Sequence, residues 1–263
     1  MSDDEIEASR APLIEHLIEL RTRLLYSVIA IAIAFVFCFW ASDTIFNILI
    51  VPYEQAAGVE RDIRFIFTAP QEYFFTQLKI GLFGALFIAF PVLAAQVYMF
   101  VAPGLYKHER GAFLPFLIAT PVLFAIGACL VYFVVMPLAY QFFLSLEQQG
   151  LGGEATIEHL PRVSEYLSLT MTLIFAFGLV FQLPVVLTLL GRAGLATSEG
   201  LRSKRKYAVV LTFIAAAFLT PPDPISQLGL AVPALLLYEL SIRSVRYVEK
   251  KREEREEEAA TAS

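Results

Sequence analysis

Residues 80–105 read IGLFGALFIAFPVLAAQVYMFVAPGL, and not one of the 26 is charged. As α-helix this stretch measures about 39 Å, enough to cross a hydrocarbon core of roughly 30 Å. A membrane β-barrel would instead alternate apolar and polar residues in segments of about ten, and no such alternation occurs here. The stretch is therefore a transmembrane helix, and the rest of the chain has the same character. Of 263 residues, 57% are hydrophobic and 17% charged, and the mean hydropathy is +0.65. Soluble domains carry about 25% charged residues. The charges are also clustered, which leaves long uncharged runs.

Six spans are predicted, at about 24–42, 70–101, 111–140, 164–190, 207–219 and 224–238. They make a transmembrane domain over 24–243, between an N-terminal segment, 1–23, and a charged tail, 244–263. The fold class is an all-α integral membrane protein. Pro70 suits a first helical position, Glu72 favours a helix start, and Pro91 should kink the second span. Ser164 is read as a cap for the fourth span and Pro184 as its kink. The fifth and sixth spans are short, at about 24 Å and 22 Å of uncharged helix, so the bilayer should thin beside them. In the turn Thr220-Pro221-Pro222-Asp223-Pro224, Asp223 fits an N-cap and Pro224 a first helical position. The tail is expected to be a solvated helix extension or disordered.

Orientation follows from the basic residues. With the N-terminus inside, the inner segments hold 16 of the 20 lysines and arginines and the outer loops hold three, Arg61, Arg64 and Arg162. Both termini are therefore predicted to be cytoplasmic. Lys79, inside the second span, should snorkel to the outer interface or pair with Glu72. The outer segments 45–53 and 65–71 carry apolar side chains and should pack as a cap. Residues 1–10 are acidic and lack the basic start of a secretory signal, so the first span should be retained, in a bacterial-type plasma membrane. Cys38 and Cys129 form no CxxC pair and read as small core residues.

Two motifs fall on the predicted cytoplasmic face. One is His16-Leu17-Ile18-Glu19-Leu20-Arg21, just before the first span. The other, FVAPGLYKHERG over 100–111, joins the second span to the third. Glu19 is explained without function by an i,i+4 pair with Arg23, and Glu109 by a helix start. Their arrangement favours more: two carboxylates share one face with Phe100 and Tyr106, beside the Pro103-Gly104 turn. Carboxylates bind arginine through two-pronged hydrogen bonds that lysine cannot copy.

Gln182 places an amide in the middle of the fourth span. It is satisfied either internally, by the kinked backbone or a neighbouring helix, or by a partner subunit's helix. Catalytic patterns are missing: there is no HExxH, GxSxG or P-loop, and the three histidines, His16, His108 and His159, lie outside the spans. No metal site or cofactor is predicted. An ion-coupled small-molecule transporter is the alternative function, but it wants charged midplane residues or broken helices facing each other. An intramembrane hydrolase lacks its nucleophile–base pair.

HLIELRTRLL, FVAPGLYKHERG and LTPPDPISQ, with six spans and cytoplasmic ends, resemble the TatC family, the receptor subunit of the twin-arginine protein translocase. The resemblance covers about residues 12–247. It implies a glove-shaped six-helix bundle that binds twin-arginine signal peptides and exports folded proteins using the proton motive force. It implies an oligomeric complex in the bacterial inner membrane with TatA- and TatB-type single-span partners, with no nucleic acid and no enzymatic step. Glu19 and Glu109 match the family's signal-binding glutamates, and Leu20, Arg21, Phe100, Tyr106 and Arg110 match the same surface. Several relatives have glutamate where this chain has Gln182, which weakens any proton-carrying role at that position.

Overall fold

A computed structural model describes residues 3–58, 64–105, 114–147, 160–220 and 223–261. Among them every extended element is helical: α1 (Asp3–Trp40), α2 (Ser42–Ala57), α3 (Pro70–Leu105), α4 (Leu114–Leu130), α5 (Met136–Ser145), α6 (Val163–Val180), α7 (Leu183–Arg192), α8 (Ser198–Ser203), α9 (Arg205–Leu219) and α10 (Pro224–Thr261). Five stretches are long and apolar enough to cross a membrane: His16–Trp40, Pro70–Phe100, Pro115–Ser145, Val163–Arg192 and Pro224–Glu254. The fifth predicted span is α9, only 15 residues or about 22 Å long.

Prolines decide where the helices change. Pro137 has no N–H and its ring would strike the carbonyl four residues back. The five residues before α5, Val131–Val135, therefore widen into a π-turn, in which the Met136 N–H reaches back to the Val131 carbonyl. Pro184 acts more strongly. The predicted fourth span is two helices: α6 stops at Val180, Phe181 and Gln182 turn, and α7 starts at Leu183. Past α7, Gly194 takes φ +73°. Its N–H donates to the Gly191 carbonyl, and Leu195 N–H to Leu190, which closes the helix end in a Schellman arrangement. At α10, Asp223 Oδ1 accepts from the Ser226 N–H at 2.7 Å and Pro224 is the first helical residue.

The chain divides into two compact units, Met1–Phe46 with Gln77–Pro121, and Asn47–Thr76 with Val122–Ser263. In the first, α1 lies close against α3. A Cβ on Gly84 would meet Cys38 and Ile45, and one on Gly81 would meet Phe39. Across the pair, Gln77 Nε2 donates to Asp43 Oδ1 at 2.8 Å. In the second unit α4 and α6 cross through glycines. Gly127 sits under Phe177 and Phe181, and Gly178 under Phe124. Small residues of this kind let membrane helices approach closely enough for dispersion to hold them. On the other side of the break, α7 packs on α10 through Gly191 and Val245.

Cys38 is buried, but Cys129 is exposed, so the reading of both as core residues holds for the first alone. The apolar stretch of the sixth predicted span ends near Tyr238, whereas its helix continues through the charged tail to Thr261.

Candidate functional site

Glu19, Leu20 and Arg21 lie on α1, where Leu20 and Arg21 are exposed and Glu19 is half-buried. Phe100 lies near the end of α3. The two elements meet through rings: His16 and Phe100 stack with centroids 4.3 Å apart at 18°. One turn further along α1, Arg23 spans the same pair. Its Nη2 reaches Glu19 Oε1 at 3.3 Å, and its Nη1 reaches Gln96 Oε1 at 3.5 Å and Met99 Sδ at 3.6 Å. The nearby hydroxyls are spent within the helix, Thr22 on the Ile18 carbonyl and Ser27 on that of Arg23. What the surface presents is thus one carboxylate beside a stacked ring pair. That suits a planar cation, which gains from both charge and π-face. Glu109, Tyr106 and Arg110 lie outside the described residues. Gln96 and Arg23's reach across to α3 escaped sequence reasoning, because contacts 73 and 76 residues apart leave no local pattern.

Gln182 is the residue on which α6 gives way to α7. Its Nε2 donates to the Gly178 carbonyl at 3.4 Å, a weak bond one turn back, and its own carbonyl accepts from the Val186 N–H at 2.9 Å. The amide sits where the proline break frees backbone groups. Asp223 is buried at the start of α10. Pro222 lies outside the described residues.

A second carboxylate site joins the segment before α3 to the start of α6. Ile66 and Arg162 form a short parallel bridge, with Ile66 N–H donating to Pro161 and Val163 N–H to Ile66. Beside it, Glu72 accepts from the Thr68 N–H at 2.9 Å, the Thr68 hydroxyl at 3.3 Å and the Ser164 hydroxyl, and pairs with Arg162 at 3.5 Å. Glu72 thus serves α3 as a capping-box acid does, and it also gathers groups from the start of α6. Its partner is Arg162, so of the two readings of Lys79, snorkelling or pairing with Glu72, the pairing is taken by another residue. Ser164 is spent on Glu72, and the cap position of α6 falls to Arg162. Behind the clasp, Tyr53, Phe65, Tyr140 and Tyr166 pack with ring centroids 5.1–5.6 Å apart, and the Tyr166 hydroxyl donates to the Leu49 carbonyl at 2.6 Å. Among the described residues, no group of three or more His, Cys, Asp or Glu is placed to hold a metal ion.

The family model of the Sec-independent protein translocase protein TatC matches residues 15–233. A protein of that name from Magnetococcus marinus is 51% identical over 97% of this chain and 92% of its own length. One from Desulforapulum autotrophicum is 41% identical over 98% and 92%. Among solved structures, a crystal structure of the twin-arginine translocase receptor TatC superposes with a TM-score of 0.76 at 38% identity, covering 89% of this chain and 99% of that one. The chain is a multi-pass membrane protein, and it belongs to the TatC family of Sec-independent protein translocase proteins.

Proposed function

We propose that this chain is the receptor and core subunit of a twin-arginine translocase in the bacterial plasma membrane. It binds signal peptides at Glu19 and Glu109 and supports export of folded cargo driven by the proton motive force. The observation that carries the reading is the His16–Phe100 stack, which joins α1 to α3 one helical turn before Glu19 and so supports a cation-binding surface there. The match to the family's motifs supports adding Leu20, Arg21, Tyr106 and Arg110 to the signal-binding residues. The basic-residue count puts the site and both termini in the cytoplasm. The chain itself performs no catalytic step. Its partners are further copies of itself and TatA- and TatB-type single-span proteins.

Two features support a place for partner helices. Helix α9 is too short to span an undistorted bilayer, and the Arg205–Glu239 pair, at 2.7 Å, closes the apolar stretch of the α9–α10 hairpin at the end away from the turn. Gln182 offers an amide at mid-span on the helix break. Gln182→Glu should retain export, and Gln182→Leu should weaken co-purification of TatA- or TatB-type partners while leaving signal binding intact. Normal assembly in Gln182→Leu returns the amide to a purely internal role.

The deciding experiment titrates a twin-arginine signal peptide against the purified protein in detergent at fixed salt. Glu19→Ala and Glu109→Ala should each cost roughly 1.5–3 kcal/mol, about tenfold to a hundredfold in affinity. A twin-lysine peptide should lose much less, since it never had the two-pronged geometry. If both variants bind the twin-arginine peptide like the parent, the receptor site lies elsewhere.

A further inference from the structure

Glu19 already has an arginine. Arg23, one turn on, touches it through Nη2 alone, at 3.3 Å. A strong arginine–carboxylate pair is two-pronged, with N···O distances of about 2.7–2.9 Å. The contact here is single and long. The rest of the guanidinium is equally uncommitted: Nη1 is shared at 3.5 and 3.6 Å between Gln96 Oε1 and Met99 Sδ, and Nε is buried with no acceptor. The side chains are 28% and 31% exposed, so neither charge is fully wet nor sealed away. One guanidinium therefore leans between two seats, the Glu19 carboxylate on its own helix and the Gln96 amide oxygen and Met99 sulfur on α3.

We infer that Arg23 is an internal competitor for Glu19, standing in for a signal arginine while the receptor is empty, with Gln96 as the seat it takes when displaced. The inference rests on Glu19 being the signal-binding carboxylate. An incoming guanidinium that grips Glu19 with two prongs out-competes Arg23's single long bond. Arg23 then turns fully onto Gln96 and Met99, a short move within its existing reach. Because Arg23 must be displaced whatever arrives, it lowers the affinity of every cationic peptide by the same factor. It sets a threshold. The preference for arginine over lysine comes from the two-pronged grip, and the threshold leaves the poorer lysine ligand unbound.

The test is peptide titration on full-length protein in detergent, with folding of each variant checked by thermal unfolding. Arg23→Gln should tighten binding of twin-arginine and twin-lysine peptides alike, by roughly two- to fivefold, the range of a partly exposed ion pair. Arg23→Lys, which keeps the charge and the helix propensity, should fall between parent and Arg23→Gln. Gln96→Leu should weaken binding, because displaced Arg23 loses its seat. That weakening should vanish in the Arg23→Gln background, the non-additivity of a shared partner. A purely positioning role for Arg23 predicts the opposite sign, weaker binding in Arg23→Gln, and that result or no change overturns the inference. So does a Gln96→Leu effect of equal size with and without Arg23. Glu19→Ala is run alongside. If it binds peptide like the parent, the assignment of Glu19 to the signal site falls. If it loses binding while Arg23→Gln gains none, only the competition does.

Discussion

Glu19 and Glu72 are both glutamates near apolar spans, both paired with an arginine, and the structure treats them in opposite ways. Glu72 is 9% exposed and takes bonds from a backbone N–H, two hydroxyls and Arg162. It is saturated, and its ligands come from segments 90 residues apart. Glu19 is 31% exposed and holds one arginine at 3.3 Å. A carboxylate turned largely away from water is kept only where its oxygens find protein partners. A half-exposed one can stay under-committed, since water covers what the protein does not. The first arrangement builds a frame, and the second leaves capacity for a ligand.

Breaking the frame should have the largest effect. Tyr166 is buried among Tyr53, Phe65 and Tyr140 behind the Glu72 clasp. Tyr166→Ala opens a ring-sized cavity and should destabilise the fold by about 3–5 kcal/mol, read as a large drop in detergent Tm. Peptide affinity of the fraction that stays folded should be unchanged. Equal loss of affinity in that fraction would mean that the two regions are coupled and the contrast is false.

A smaller effect is expected where α4 crosses α6. A Cβ on Gly178 would clash with the edge of the Phe124 ring, so Gly178→Ala forces a shift costing about 1–3 kcal/mol. Its readout is also Tm. Below it comes Tyr166→Phe, which keeps the ring and removes the hydroxyl bond to the Leu49 carbonyl. A loss of roughly 0.5–2 kcal/mol is expected there. If Tyr166→Phe cost as much as Tyr166→Ala, the hydroxyl bond rather than ring packing would hold the clasp.

The contrast also explains what the amino-acid sequence discloses. Spans are legible because the bilayer demands long uncharged runs, and the starts at Pro70 and Asp223-Pro224 because capping is local. The break at Gln182 is half legible: Pro184 marks it, but a proline alone does not say whether a helix bends or stops. Cys129 was misplaced because a membrane helix is apolar on every side, so no periodicity separates its packed face from its lipid face. The extent of α10 was half legible: the tail read either as a solvated helix extension, which it is, or as disorder. Its apolar pattern ends near Tyr238, while the glutamates, lysines and arginines that follow are strong helix formers. The Glu72–Arg162–Ser164 clasp was invisible because each residue has a satisfactory local reading, and only tertiary folding brings the three together. At the candidate site, Glu19 and Phe100 were legible as motifs. The reach of Arg23 to Gln96 was not.

The smallest stability change should come from the residue with the greatest proposed role. Glu19→Ala removes an i,i+4 contact that is single, long and partly hydrated. Such pairs contribute about 0.3–0.5 kcal/mol. Arg23, once released, keeps Gln96 and Met99 within reach, so no charge is stranded. Tm should therefore stay close to that of the parent while twin-arginine peptide binding falls by an order of magnitude or more. Glu72→Ala should show the reverse: among the described residues it leaves Arg162 with only the exposed Glu165 as a charged partner, and it frees the Thr68 N–H and the Ser164 hydroxyl, so Tm falls and peptide affinity holds. Measuring both variants by both readouts gives a two-by-two comparison. A Glu19→Ala variant that unfolds as easily as Glu72→Ala would show that its carboxylate is committed to the fold, and the difference between a framing and a receiving glutamate would disappear.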